Sequence, residues 1–133
     1  MKLTSRDEYA LLALVYLARH ESEEYIPAET IALAQKIPLK FLEQILSALK
    51  HARYLSSSKG QHGGYRLAKP ADKIALADII RLFDGALAPT ESVSKYFYES
   101  TPIEKEKNLL KVFKGIRDCV SETLEQTTIA DVV

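Results

Sequence analysis

Gly60, Gly63 and Gly64, with His62 among them, are the residues whose types and spacing could do chemistry in this chain. They lie in "SSSKGQHGGYRLAKP", Ser56 to Pro70. Glycines beside a lysine can cradle a phosphate, and a histidine can hold a metal or move a proton. A Walker loop needs glycine, four residues, then Gly-Lys-Ser/Thr, and no such run is present. A dinucleotide fingerprint needs Gly-x-Gly-x-x-Gly opening a helix, whereas a strand-like segment follows these glycines. A metal site would need partners for His62, and His20 and His51 stand at no ligand spacing to it. Cys119, the single cysteine, falls on an apolar helical stripe, which predicts a buried, inert thiol. No carboxylate pair or triad stands out, so an enzyme has no residue set behind it. What remains for the glycines is a hairpin, whose tight turn needs the positive φ that glycine tolerates.

Net charge is zero over the 133 residues, but it is segregated. Residues 36–73 carry eight Lys/Arg against Glu43 and Asp72, a balance of +6, while the flanking segments carry −3 each. The total argues against a polyanionic partner and the distribution argues for one, the alternative being a solvated basic face. The chain is of single-domain length. Its longest apolar run, "YALLALVYLA" from Tyr9 to Ala18, is too short to span a bilayer and follows Asp7 and Glu8. One cysteine makes no intramolecular disulfide and no zinc site by itself. No membrane partner and a cytoplasmic location are expected.

The elements that position the glycine loop follow from the pattern. Ser5 to Arg19 reads as a largely apolar helix with acids in its first turn. Pro27 opens a short helix, Ala28 to Gln35, with Ile31, Ala32 and Ala34 as inward residues. Pro38 stops that helix at Ile37 and begins another, Leu39 to Arg53. In it Leu42, Ile45, Leu46 and Leu49 recur at helical spacing, opposite Lys40, Glu43, Gln44, Ser47 and Lys50. Two short helices and a tight turn make a helix-turn-helix. Strands Tyr54–Ser57 and Tyr65–Leu67 flank the glycines, and a helix from Ile74 to Phe83 ends near Gly85. Residues 86–102 are irregular, and Ile103 to Leu124 is a last long helix. Leu109, Val112, Phe113, Ile116, Cys119, Val120 and Thr123 step along one of its faces. That stripe either folds back on its own domain or meets a second copy, and a homodimer is the expectation adopted.

The fold expected is mainly α with a small β-hairpin: a winged helix-turn-helix domain (residues 1–85), an effector or sensor loop (86–102), and a dimerisation helix with C-terminal tail (103–133). In such a domain the second helix enters the major groove of double-stranded DNA by its leading end, here Pro38, Leu39, Lys40 and Phe41. Glu43 can accept from cytosine and Gln44 can pair with adenine. Lys59, Gln61 and His62 at the hairpin tip can reach phosphate or the minor groove.

Four stretches, "MKLTSRDEYALLALVYLA", "IPLKFLEQILSALKHARYL", "SSSKGQHGGYRLAKP" and "IALADIIRLFDG", resemble in order and spacing the Rrf-type bacterial transcription regulators, and "TTIADVV" at the end is also similar. That family includes the iron–sulfur cluster regulator, the nitric-oxide-sensing repressor and the cysteine-metabolism repressor. The resemblance implies a homodimer held by the long helix, with the last residues packing on the partner. It also implies DNA contacts by Lys40, Phe41, Glu43 and Gln44, by Ser58, Lys59, Gln61, His62 and Gly63 in the wing, and by Arg6 and Tyr9. Lys36 and Pro38 stand where the family carries a turn glycine and a capping serine. Cluster-binding members place three cysteines before the long helix, and residues 90–108 hold none here, so no [2Fe–2S] cofactor and no metal is expected. Tyr96, Phe97 and Tyr98 occupy that region instead. They are candidates for an effector or partner contact, the alternative being packing against the long helix.

The function expected is therefore a sequence-specific, DNA-binding repressor acting as a cytoplasmic homodimer. Two alternatives stay open: a module that docks a metabolic enzyme, and a thiol redox switch through Cys119.

Overall fold

The computed structural model describes residues 1–133. Helix α1 spans Ser5–Arg19. Thr4 caps it, accepting from the Asp7 N–H (3.2 Å) while its own N–H donates to the Asp7 carboxylate (2.9 Å). Helix α2 spans Ala28–Gln35 and α3 spans Leu39–His51, with the turn between them closed by Lys36 in left-handed backbone. The turn forms without a glycine or a capping serine. Strands β1 (Leu55–Ser58) and β2 (Gly64–Leu67) pair antiparallel, with Leu55 opposite Leu67 and Ser58 opposite Gly64. Helix α4 spans Leu76–Phe83 and α5 spans Lys107–Gln126. The fold is mainly helical with one hairpin, as the sequence pattern predicts.

The core is built where the apolar spacings converge. Leu14 and Leu17 of α1, Ile31 of α2 and Leu42, Ile45, Leu46 and Leu49 of α3 are almost fully buried together. Each such side chain contributes about 1.5–3 kcal/mol by leaving water. This packing fixes α3 by one face and leaves its other face outward. The hairpin is anchored at its base. Ile26, just before α2, exchanges both backbone hydrogen bonds with Tyr65 (2.9 and 2.8 Å).

Several expectations are corrected. Ala34 is exposed, because Ile31 and Ala32 face the core and Ala34 does not. Helix α3 ends two residues early, since Arg53 takes positive φ. Helix α4 begins at Leu76 because Ile74 and Leu76 give their backbone groups to the C-terminal segment: the Ile129 N–H donates to the Ile74 carbonyl and the Leu76 N–H to the Thr127 carbonyl, both 2.9 Å. Helix α5 starts at Lys107, after a short 3₁₀ turn Pro102–Lys105 and an extended Glu106. Among the last residues, Ile129 packs on its own chain. Ile129 is fully buried in the same core as Leu14 and Leu46, and a capping box between Thr128 and Asp131 closes the end.

Candidate nucleic-acid interface

Burial of Leu42, Ile45, Leu46 and Leu49 rotates the rest of α3 outward. Lys40, Phe41, Glu43, Gln44, Ser47, Lys50 and His51 are all exposed. Pro38 is exposed too, while Leu39 is half-buried against the core. At 100° per residue, Lys40, Gln44, Ser47 and His51 form one line down the helix, with Glu43 and Lys50 along one side. Phe41, 57% exposed, is a large apolar ring held in water at the leading end, able to meet a thymine methyl. Ser47 and His51 belong to this surface although the sequence reading did not assign them to DNA. Their signal was the same helical spacing that placed Gln44. The His51 Nδ1 donates to the Ser47 carbonyl at 2.7 Å, which turns its Nε2 outward.

The wing tip follows directly. Ser58, Lys59, Gln61 and His62 are exposed and Gly63 is half-buried. Gly60 takes φ +100°, and the Gly63 N–H closes the turn on its carbonyl at 3.0 Å. A side chain at Gly63 would press on the backbone of Ser58 and Lys59, within 3.0 Å of both carbonyl carbons. The glycines are thus explained by the turn.

The basic segment divides in the structure. Arg66 donates to the Glu23 carbonyl and lies 4.4 Å over the Tyr25 ring. Lys69 sits 4.6 Å over the Tyr54 ring. Burial, with the Asp78 carboxylate adding, raises the Tyr54 phenol above its usual 10.0 and keeps it neutral. Lys36, Lys40, Lys50, Arg53, Lys59 and Lys73 make no ion pair, since the two pairs of the chain are Arg81–Glu125 and Arg117–Asp118. Six of the eight positive charges of this stretch of sequence thus stay exposed and free of partners, as groups that meet phosphate must be. Arg6 and Tyr9 are placed differently: the Arg6 guanidinium lies 5.3 Å over Phe83, and Tyr9 rests against the core.

The long helix has two faces. Leu110, Phe113, Arg117, Val120, Ser121 and Leu124 turn toward their own chain, where Leu124 joins Ala77, Ile80 and Leu87. Leu109, Val112, Ile116, Cys119 and Thr123 are exposed. Phe113 and Val120, expected on the open stripe, are half-covered by their own domain. Cys119 is exposed in the single chain, so the expected burial of its thiol does not come from its own domain. With Leu3, Pro89 and Ile116 it lines an apolar groove of about 490 Å³.

Between α4 and α5 the loop is tied down by polar bonds. The Arg117 guanidinium donates to the Val93 carbonyl (2.9 Å), and Arg81 pairs with Glu125. That bond from Arg81 holds the Glu125 carboxyl below its usual 4.5. Tyr96, Phe97 and Tyr98 are exposed, yet each is anchored within the chain. Arg81 lies 5.2 Å over Tyr96, the Phe97 N–H donates to Ser94 (3.0 Å), and the Tyr98 hydroxyl donates to Glu104. That last bond raises the Tyr98 phenol and lowers the Glu104 carboxyl. No three His, Cys, Asp or Glu side chains converge as a metal site would require, and the one thiol per chain does not fit a cluster that takes four ligands.

Comparison with known proteins agrees with this geometry. Residues 3–133 match the Rrf2 family, described as iron-dependent transcriptional regulator. A Mycobacterium tuberculosis protein named as an HTH-type transcriptional regulator is 35% identical, over 99% of this chain and 81% of its own. The transcriptional regulator CymR of Bacillus subtilis is 31% identical, over 98% and 88%. Its solved structure, titled as that of the global cysteine regulator, superposes with a TM-score of 0.80 at 30% identity, covering 99% of this chain and 95% of that one. The structure of T. potens IscR gives 0.77 at 26% identity, covering 99% and 85%.

Proposed function

Because the chain belongs to the Rrf2 family of transcriptional regulators, we propose that it is a sequence-specific, DNA-binding repressor. It acts as a homodimer in the cytoplasm and carries no iron–sulfur cluster. The observation that carries this reading is the outward face of α3: Lys40, Glu43, Gln44, Ser47 and His51 are exposed on a helix whose opposite face is locked in the core. A face so exposed and so rigid suits insertion into the major groove. Lys40, Phe41, Glu43 and Gln44 then meet base edges, and Ser58, Lys59, Gln61, His62 and Gly63 meet the backbone beside them. The open stripe Leu109–Thr123 on α5 is the dimer contact. A second copy laid along it covers the apolar groove and buries Cys119 between the helices. Two copies of α3 then address half-sites about 34–36 Å apart.

Binding of the purified protein to genomic fragments, titrated at several salt concentrations, tests the reading. A preferred fragment with a steep salt slope is expected. Equal affinity for every fragment and for random DNA overturns it. The cluster-free part is tested separately, by the visible spectrum and iron content of protein purified without oxygen. Colourless, iron-free protein is expected, and an absorbing, iron-bearing protein refutes that part alone. The place of Cys119 on the stripe proposed as the dimer contact favours one second reading, a thiol switch across the dimer. If oxidant changes DNA affinity in the wild type and not in Cys119→Ser, that reading stands; equal responses remove it.

A further inference from the structure

Both ends of α3 carry a basic residue where the backbone favours glycine. Lys36 closes α2 at φ 56°, ψ 47°. Its N–H donates to the Ala32 carbonyl, and the following Ile37 N–H donates there too, at 2.9 Å. Arg53 follows α3 at φ 69°. Its N–H donates to the Lys50 carbonyl and the Tyr54 N–H to the Leu49 carbonyl, both at 2.9 Å. These are the only two non-glycine residues of the chain with positive φ, and Gly60, Gly64 and Gly85 take the others.

Left-handed backbone just past a helix is glycine's place, because a Cβ crowds the following carbonyl there. Asparagine is the usual second choice, since its short side chain bonds locally. Lysine and arginine have no such compensation. Nor do these two gain anything elsewhere in the fold. Both are exposed, and neither takes part in the ion pairs or the cation–ring contacts of the chain. Arg66 and Lys69, in the same basic segment, are used internally. Two strained turns therefore hold long cations in water for no intramolecular return. The feature a glycine would lack at both positions is the positive charge.

The positions frame the helix. Thirteen residues of α3 are about 20 Å long, whereas the major groove is about 12 Å wide. A helix laid obliquely in that groove reaches the phosphate walls at both ends.

We propose that Lys36 and Arg53 are DNA phosphate clamps, one at each end of the recognition helix. The two helix-ending turns aim them, and they set the helix's register in the groove. The inference rests on the DNA-binding reading above.

The test compares Lys36→Gly, Arg53→Gly and the double variant with wild type. Each is titrated against a preferred operator fragment and random DNA, and each is melted without DNA. Glycine relieves the turn, so each single variant should melt about 2–5 °C higher than wild type. The charge is lost, so affinity for both DNAs should fall about tenfold, with the preference between them unchanged. A dimer loses two phosphate contacts per variant, which lowers the salt slope by about 1.8. Lys36→Asn keeps a turn-compatible residue and should bind as weakly as Lys36→Gly. Arg19→Ala removes an exposed charge outside the segment and should bind as wild type. Wild-type affinity and slope in the glycine variants overturn the clamps while the DNA-binding reading stands. Wild type that prefers no fragment overturns both.

Discussion

Gly64 should be the least replaceable residue of the wing, and the structure says by how much. It takes φ +147°, and an added Cβ would press on the Ile26 carbonyl and stand 2.6 Å from the Pro27 nitrogen. These are backbone atoms, so no side chain can rotate aside. Gly64→Ala must push the Ile26–Pro27 segment away from β2. The two hydrogen bonds between Ile26 and Tyr65 (2.9 and 2.8 Å) are what that movement breaks. At about 0.5–1.5 kcal/mol each they amount to about 1–3 kcal/mol. Alanine at that φ adds about 1–3 kcal/mol of backbone strain. The sum, about 2–6 kcal/mol, is a large share of the roughly 5–15 kcal/mol that holds a domain folded. Gly60→Ala is the matched control: φ is +100° but nothing lies within 4 Å, so only strain remains. Urea denaturation of both variants isolates the bridge as their difference, about 1–3 kcal/mol. The tip also swings free of its anchor, and losing one charged contact of about 1.5 kcal/mol weakens DNA binding about tenfold. If Gly60→Ala is as destabilising as Gly64→Ala, the Ile26–Tyr65 bridge does not hold the wing and this reasoning fails.

Three further outcomes are expected. Ile116→Asp puts a charge on the open stripe of α5, where the side chain is 43% exposed. Sedimentation should show a monomer with wild-type far-ultraviolet dichroism, and a dimer would remove α5 as the contact. Glu43→Ala should keep or raise overall affinity while discrimination at one base pair falls by about 1–3 kcal/mol, read by competition with single-substituted operators; unchanged discrimination would take Glu43 out of the groove. The Glu125 carboxyl is held below its usual 4.5 by Arg81. A depressed carboxyl stabilises the fold above its unfolded pKa and stops doing so as pH falls through the folded one. Wild type should therefore melt above Glu125→Gln at pH 7, with the gap closing below pH 4.5, and a gap constant to pH 3 would contradict the pair.

Helices α1, α2 and α3, the hairpin and the face of α3 were legible because they rest on local rules. Proline sets the start of α2 and α3, leucine spacing sets the buried side, and glycines mark the turn. The start of α4 moved because it depends on pairings distant in sequence. Ile74 and Leu76 are shaped by residues 127–129, and no local pattern announces that. Nor does any local pattern announce that Ile129, among the last residues that the resemblance places on the partner, enters its own core. The division of the basic segment was also hidden. A lysine reads the same whether it lies over Tyr54 or in water, and Arg66 and Lys69 are told apart from Lys36 and Arg53 only by what packs beside them.

The same packing explains how a contact on α5 can govern the placement of α3. Leu124 of α5 packs with Ala77 and Ile80 of α4, and Arg81 locks the two helices by its pair with Glu125. Ile79 of α4 lies in the core that Leu14 of α1 and Leu46 of α3 share. Every step of that path is buried apolar contact or a charged hydrogen bond, and none is a flexible linker. Interiors packed this densely shift as units. A dimer formed through α5 thus sets the distance between the two copies of α3. Loosening the Arg81–Glu125 end of the path should broaden the operator spacings the protein accepts. Affinity for any one half-site should change less, because the groove-facing residues keep their own support.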